Sequence, residues 1–274
     1  MAELTQLNLD SILRSRLSPR AARMLPRFAT RILENFICQD RLNEILRNAY
    51  PAEGSAFSES VIRQLGLKIR VEGLENIPLH TPVTFASNHP IGGLDGITLI
   101  KVLGDLFTDE KVRFLVNDML MNVTPLRSVF LPINKYGAQG REAARAINEA
   151  YASDARILVF PAGLVSRLGD DGKIADLKWQ KAFVVKALEY ERDIVPVKFE
   201  GLNRKRFYRL ARLRKRLHIG VNLEQALLPS ELCASEGKEF VIKFGEPVTP
   251  AEIRASGLSP QQIADRIREK VYAL

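Results

Sequence analysis

The chain has 274 residues, 46% hydrophobic and 26% charged, which supplies enough apolar material for a sizeable core and excludes a disordered or fibrous polypeptide. Forty Lys and Arg against 32 Asp and Glu leave a formal charge of +8, so a polyanionic partner is favoured, whether nucleic acid or anionic lipid. The only cysteines, Cys38 and Cys233, lie far apart in sequence and outside any Cys-x-x-Cys spacing, so neither a disulfide framework nor a thiolate metal site is suggested, which fits a reducing compartment.

From about Leu7 to Leu65 the pattern is helical, with Leu25, Phe28, Ile32, Phe36 and Ile37 at three- and four-residue spacings. Pro19 and Pro26 mark a helix start and a break, and 51–55 reads as a loop. The texture changes at Leu67. Strands are expected over Leu67–Val71, Val83–Ser87, Val112–Val116, Val129–Ile133, Ile157–Phe160, Ile194–Phe199 and Phe240–Phe244. Helices are expected over Leu94–Leu106, Ala138–Ala152, Lys178–Glu189, Arg204–Leu217 and Ser259–Ala273. This alternation predicts an α/β fold, a central mixed, largely parallel sheet flanked by helices, with an N-terminal helical segment (1–66) ahead of the main α/β domain (67–274). The start has no basic stretch followed by an apolar run and a cleavage site, so no signal peptide is expected. No apolar run approaches the roughly 20 residues that span a bilayer, so lipid contact is expected to be peripheral, at the cytoplasmic face of the cell membrane.

The stretch Thr84-Phe85-Ala86-Ser87-Asn88-His89-Pro90-Ile91-Gly92-Gly93-Leu94-Asp95-Gly96 carries an apolar strand into a Gly-rich turn and then a helix. That places His89 at a strand's carboxyl end, where α/β proteins keep their chemistry. Gly92 and Gly93 permit a tight loop, so Asp95 can fold back onto the imidazole, fixing its tautomer and stabilising its protonated form. The competing reading is a loop histidine and a helix-capping aspartate. A second polar turn, Phe160-Pro161-Ala162-Gly163-Leu164-Val165-Ser166-Arg167, also follows an apolar strand, and the two turns can share one cleft.

These blocks, with Ile194-Val195-Pro196-Val197 and Ile242-Lys243-Phe244-Gly245-Glu246-Pro247-Val248, resemble the glycerolipid acyltransferase superfamily typified by bacterial 1-acylglycerol-3-phosphate acyltransferases, over roughly Leu67 to Val248. Three departures stand out. Five residues separate His89 from Asp95 where the family has four; Ala162 and Val165 replace the family's Glu and Arg; and Asn134 stands where an Arg usually sits. The two missing arginines are those the family uses on the acceptor's phosphate. The Asn-His-Pro-x-Gly-Gly-x-Asp-Gly version, with Asp176-Leu177-Lys178-Trp179, is closer to the hemolysin-like branch, some of whose members O-acylate lyso-aminolipids bearing ornithine or glycine.

The resemblance implies an O-acyltransferase that moves a fatty acyl group from acyl carrier protein or coenzyme A to a lyso-lipid hydroxyl, without a cofactor or metal. His89 is then the general base and Asp95 its orienting partner. Backbone N–H groups at Gly163 and Leu164 are expected at the oxyanion. Lys135, Arg167 and Lys181 are expected to supply the cation for the acceptor, and Asn88, Asn134 and Ser166 complete the expected binding set.

Between Arg204 and Arg216 basic residues interleave with Phe207, Tyr208, Leu210 and Leu213, with Leu217 just beyond. Either the stripe Leu210, Leu213 and Leu217 packs on the core, or the segment lies on an anionic membrane. The N-terminal arginines 14, 16, 20, 23, 27 and 31 make a second candidate for that contact. Lysophosphatidic acid acyltransferase is the nearest alternative. A basic nucleic-acid-binding protein is the alternative of another class, although neither zinc-finger spacing nor a ribonucleoprotein aromatic motif is present and nucleic acid is not the expected partner. A serine hydrolase ranks last, because Gly-x-Ser-x-Gly is missing.

Overall fold

The computed structural model describes Leu7, Asp10 and residues 26–133, 139–218 and 222–274. Asn134 and Lys135, and the N-terminal arginines 14, 16, 20 and 23, lie outside the described residues. Helices α1 (Arg27–Phe36), α2 (Gln39–Ala49) and α3 (Gly54–Gln64) come first, in the segment whose periodicity is helical. The main unit then runs β1 (Lys68–Glu72), β2 (Val83–Ser87), α4 (Gly93–Phe107), β3 (Val112–Asn117), β4 (Phe130–Ile133), α5 (Gln139–Ala152) and β5 (Arg156–Val159). It continues with β6 (Arg167–Leu168), β7 (Ile174–Ala175), α6 (Ala182–Glu189), β8 (Asp193–Glu200), α7 (Lys205–Arg216), α8 (Leu228–Cys233), β9 (Glu239–Phe244), α9 (Pro250–Ala255) and α10 (Pro260–Ala273).

Seven strands form one sheet in the order β1-β9-β8-β2-β5-β3-β4. Every neighbouring pair is parallel except β8 and β9, so the mixed, largely parallel sheet expected from the alternation is the one observed. The central strands β2 and β5 have no exposed position, as strands covered on both faces must, and their sequences read as near-continuous apolar runs. The edge strand β1 (Lys-Ile-Arg-Val-Glu) buries none of its residues fully.

Successive side chains of a strand point to opposite faces, and the core divides accordingly. Val83 and Phe85 of β2 pack with Leu99, Leu103 and Phe107 of α4 and with Phe57, Val61 and Leu65 at α3. Ala86 joins Trp179, Phe183 and Val184 near α6, together with Ile263, Ile267 and Val271 of α10, on the other face. Helices α2 and α3 therefore share the core of the sheet. The C-terminal helix is fixed at its start by a capping box, in which Ser259 Oγ accepts from the Gln262 N–H and Gln262 reaches back to the Ser259 N–H.

Below the sheet's other end, Arg192 is 1% exposed and donates to the carbonyls of Ala150, Tyr151, Ser153, Ala155 and Val83. Two of those carbonyls, Ala150 and Tyr151, belong to the last turn of α5, where a helix leaves its final acceptors without internal partners. Burial pushes the Arg192 pKa down to about 10, so the side chain still carries its charge at neutral pH.

Three elements differ from expectation. Helix α6 starts at Ala182 and not at Lys178, because Trp179 and Gln180 are held in a turn: Gln180 N–H donates to the Pro161 carbonyl at 3.0 Å and Trp179 Nε1 to Asp176 at 2.9 Å. The ribbon β6–β7 has two residues per strand, too short for any alternation to register. In α7 the buried side chains are Phe207, Tyr208 and Ala211, Leu210 packs against their cluster, and Leu213 and, just past the helix, Leu217 are 51% and 60% exposed, so the expected stripe is split between core and surface. The two aromatics pack with Val165 and Leu227 in a small separate cluster beside the second polar turn.

Candidate active site

Parallel strands β2, β5 and β8 deliver their carboxyl-end loops to the same edge of the sheet, and three long-range contacts tie those loops together. Asn88 closes onto β8: its Nδ2 donates to the Phe199 carbonyl at 3.0 Å and its Oδ1 accepts the Phe199 N–H at 2.7 Å. Ser166 N–H donates to the His89 carbonyl at 2.8 Å. Asn203 Nδ2 donates to the Pro90 carbonyl at 3.1 Å. His89 thus sits in a loop anchored on both sides.

The imidazole meets the carboxylate. His89 Nδ1 lies 2.9 Å from Asp95 Oδ2; the Asp95 side chain is fully buried and that of His89 is 19% exposed. Asp95 stands in the first turn of α4 and also accepts the Ile91 N–H at 3.1 and 3.2 Å, so the carboxylate ties the turn as well as the ring. Gly92, in the turn between His89 and Asp95, has a φ of 107° and ψ of −120°, a region open only to glycine. Phe160, at the end of β5, stacks on the imidazole with centroids 4.1 Å apart and planes 25° from parallel. An acceptor at Nδ1 places the ring proton there and leaves Nε2 with its lone pair, free of any protein partner among the described residues.

A second carboxylate supports the first pair from behind. Asp176 is 4% exposed and its Oδ1 accepts from the His89 backbone N–H at 3.2 Å and from Ser166 Oγ at 2.5 Å, while Oδ2 accepts from Trp179 Nε1 at 2.9 Å. Its own N–H donates to the Tyr272 hydroxyl at 2.7 Å, and Arg268 donates to its carbonyl at 2.8 Å, so α10 braces the loop. Burial raises the Asp176 pKa, opposed by the hydrogen bonds from Ser166 and Trp179. Burial likewise pushes the Tyr272 and Tyr208 hydroxyls up to about 12, so both stay neutral.

The residues expected around the dyad divide by geometry. The Asn88 amide is 4% exposed and engaged at both ends by Phe199, and the Ser166 hydroxyl is engaged by Asp176; both position the His89 loop and neither reaches an acceptor. Arg167 donates to Glu224 at 2.9 Å and to the Val165 carbonyl at 2.6 Å and lies over the Phe207 ring, so its guanidinium is engaged within the protein. Glu224, fully buried, holds Arg214 at 2.9 Å on its other oxygen, so its buried charge is paired twice. Gly163 N–H closes a turn onto the Phe160 carbonyl at 2.9 Å, so it is not available to an oxyanion; the Leu164 N–H has no partner among the described residues. Lys181 is exposed at the start of α6. Val165 is 3% exposed in the cluster with Phe207, so its position offers no charge.

Sequence reading missed Asp176, Tyr272 and Phe160 as site residues. Asp176 and Trp179 were visible as a short motif, but their bonding to a histidine 87 positions away has no local signal.

The family model described as Acyltransferase matches residues 12–274. The chain is 37% identical over 268 residues to the lyso-glycine lipid O-acyltransferase of Bacteroides thetaiotaomicron, covering 98% of this chain and 97% of that protein. It is 38% identical over 268 residues to the protein of the same name from Phocaeicola vulgatus, covering 98% and 95%. Among solved structures, the 1-acyl-sn-glycerophosphate acyltransferase PlsC of Thermotoga maritima is similar with a TM-score of 0.47 and 16% identity, over 90% of this chain and 98% of that one. A match over nearly the whole sequence, and relatives of the same length at more than a third identity, establish that the chain belongs to the acyltransferase family.

Proposed function

We propose that the protein transfers a fatty acyl group from an acyl thioester, on acyl carrier protein or coenzyme A, to the hydroxyl of a lyso-aminolipid of the glycine or ornithine type. The observation that carries this reading is the 2.9 Å contact of His89 Nδ1 with buried Asp95, which leaves Nε2 as a base at the surface of the loop. The acceptor hydroxyl gives its proton to Nε2 as its oxygen bonds to the thioester carbon. The tetrahedral oxyanion is met by the Leu164 N–H. The carbon–sulfur bond then breaks, and the imidazolium returns the proton to the leaving thiolate, giving an ester and a thiol. Asp95 stabilises the imidazolium throughout.

Direct transfer fits better than an acyl-serine route. Ser87 Oγ donates to the Asn88 carbonyl at 2.9 Å and Ser166 Oγ to Asp176, so both nearby hydroxyls are tied down away from the base. The missing cation at Val165, and the relatives' name, favour a carboxylate-bearing acceptor over a phosphate monoester.

Membrane contact is assigned to α7. None of the helices among the described residues is long and apolar enough to cross a membrane. Helix α7 presents exposed Leu213 and Leu217, preceded by Leu202 at 60% exposure, among the exposed cations Lys205, Arg209, Arg212 and Arg216. Such a face places leucines among acyl chains and cations among anionic headgroups.

The test is turnover of a labelled acyl thioester with a panel of lysophosphatidic acid, lyso-ornithine lipid and lyso-glycine lipid. Ester formation on the aminolipids, and its loss by at least about 100-fold in folded His89→Ala and Asp95→Asn variants, is the expected result. Esterification of lysophosphatidic acid alone overturns the acceptor assignment, and near-normal turnover by His89→Ala overturns the mechanism.

A further inference from the structure

An open groove of about 570 Å³ lies between the junction of α1 with α2, the start of α7 and the helix α8. One wall is apolar, made by Phe36, Cys38, Cys233 and Ala234. Burial pushes the Cys233 thiol up to about 12, so this wall carries no thiolate charge. The opposite wall holds Arg204 and Arg206.

The two arginines are built into place. Glu231, 2% exposed, accepts from Arg204 Nε at 3.1 and 3.2 Å, from Arg206 Nε at 3.1 Å and from the Arg204 backbone N–H at 2.8 Å. Arg204 Nη2 donates to the Ser230 carbonyl at 2.8 Å and Arg206 Nη2 to Ser230 Oγ at 2.6 Å. Phe36 lies under the Arg206 guanidinium at 5.3 Å. Both Nη1 groups are left without a partner among the described residues. Two guanidinium groups against one carboxylate leave an excess positive charge in a fixed orientation, the arrangement that receives a planar anion.

The groove adjoins the chemistry. Arg204 follows Asn203, which is bonded to the Pro90 carbonyl, and Ser230 is two residues from Leu228, whose methyls face Gly92. We propose that this groove holds the acceptor lipid, with Arg204 and Arg206 receiving its carboxylate and the Phe36–Cys233 wall its methylene chain. The assignment rests on the acyl-transfer reading above and supplies the cation that Val165 and Arg167 do not.

The test compares a glycine-headgroup lyso-lipid with its primary carboxamide, using wild type, Arg206→Met and Arg206→Lys. Arg204 remains in each variant to pair with Glu231, and circular dichroism checks the fold. Wild type is expected to prefer the carboxylate by about tenfold or more in kcat/KM, the worth of a charge-assisted hydrogen bond. Arg206→Met is expected to raise KM for the carboxylate by a similar factor with kcat little changed, to raise KM for the carboxamide several-fold less, and to be partly rescued in Arg206→Lys. Equal losses on both lipids, or no loss, overturn the groove assignment while the acyl-transfer reading stands. Absence of wild-type turnover on either lipid overturns both.

Discussion

Asp176 grips the main chain of His89 and leaves the ring alone: its Oδ1 accepts the His89 N–H at 3.2 Å, while the imidazole turns to Asp95. One carboxylate therefore holds the main chain of His89 and the other fixes how its ring points. Asn at position 176 keeps one acceptor oxygen but presents an N–H₂ group to the Trp179 indole N–H. Asp176→Asn is expected to cost about 1–2 kcal/mol in denaturant unfolding and to lower kcat with little change in KM.

The same residue gives a pH dependence whose sign follows from its raised pKa. The native state holds the Asp176 proton more tightly than the unfolded chain does, so this group's contribution to stability is fullest below the unfolded value of 3.8 and is lost as pH rises through the native one. The stability gap between wild type and Asp176→Asn is thus expected to narrow as pH increases from about 4. Urea melts of both proteins across that range check it; a gap that widens contradicts the assignment.

Gly92 carries the turn that lets a longer loop close the dyad. A Cβ there meets the Leu228 methyls at 3.2 and 3.3 Å, on a backbone of φ 107°. Gly92→Ala is expected to lose about 1–3 kcal/mol of stability and to depress activity per folded molecule, because the displaced turn carries the Ile91 N–H that Asp95 accepts. Thermal unfolding and steady-state rates measure the two effects separately.

Arg192 should behave in the opposite way. It satisfies five backbone carbonyls at the end of the sheet remote from His89. Arg192→Met is expected to cost about 3 kcal/mol or more by leaving buried acceptors unpaired, with kcat of the remaining folded enzyme unchanged at low temperature.

On α7, replacing Leu213 and Leu217 together by Ser removes apolar area that is already exposed, so stability should move by less than about 0.5 kcal/mol. Vesicle flotation with anionic lipid is expected to show binding weakened by about tenfold or more, since each leucine side chain transferred out of water contributes on the order of 1–2 kcal/mol. Equal binding by the variant removes α7 from the membrane contact.

The sheet strands and the larger helices were legible because their signals are local: β2 reads Val-Thr-Phe-Ala-Ser and is buried throughout, and α10 announces itself with Ser259-Pro260 and Gln262. The His89–Asp95 pairing was legible for a similar reason, since a glycine turn joins two residues six apart. What escaped depends on distant partners. Arg167 looks like a free cation in sequence, yet Glu224 claims it from 57 positions downstream. The two readings of the α7 leucines stayed open in sequence because helical periodicity finds a stripe without saying which of two stripes the core selects; Phe207 and Tyr208 take the core side, leaving Leu213 and Leu217 exposed.

The brace on Asp176 comes from Tyr272 and Arg268, in the last helix. During synthesis from the amino terminus, the strand bearing His89 leaves the ribosome long before its support does. A nascent chain lacking α10 already contains both His89 and Asp95, yet Asp176 lacks its contacts with Tyr272 and Arg268. A chain cut before Pro260 loses both of those contacts, and its turnover is expected to fall well below that of the full chain.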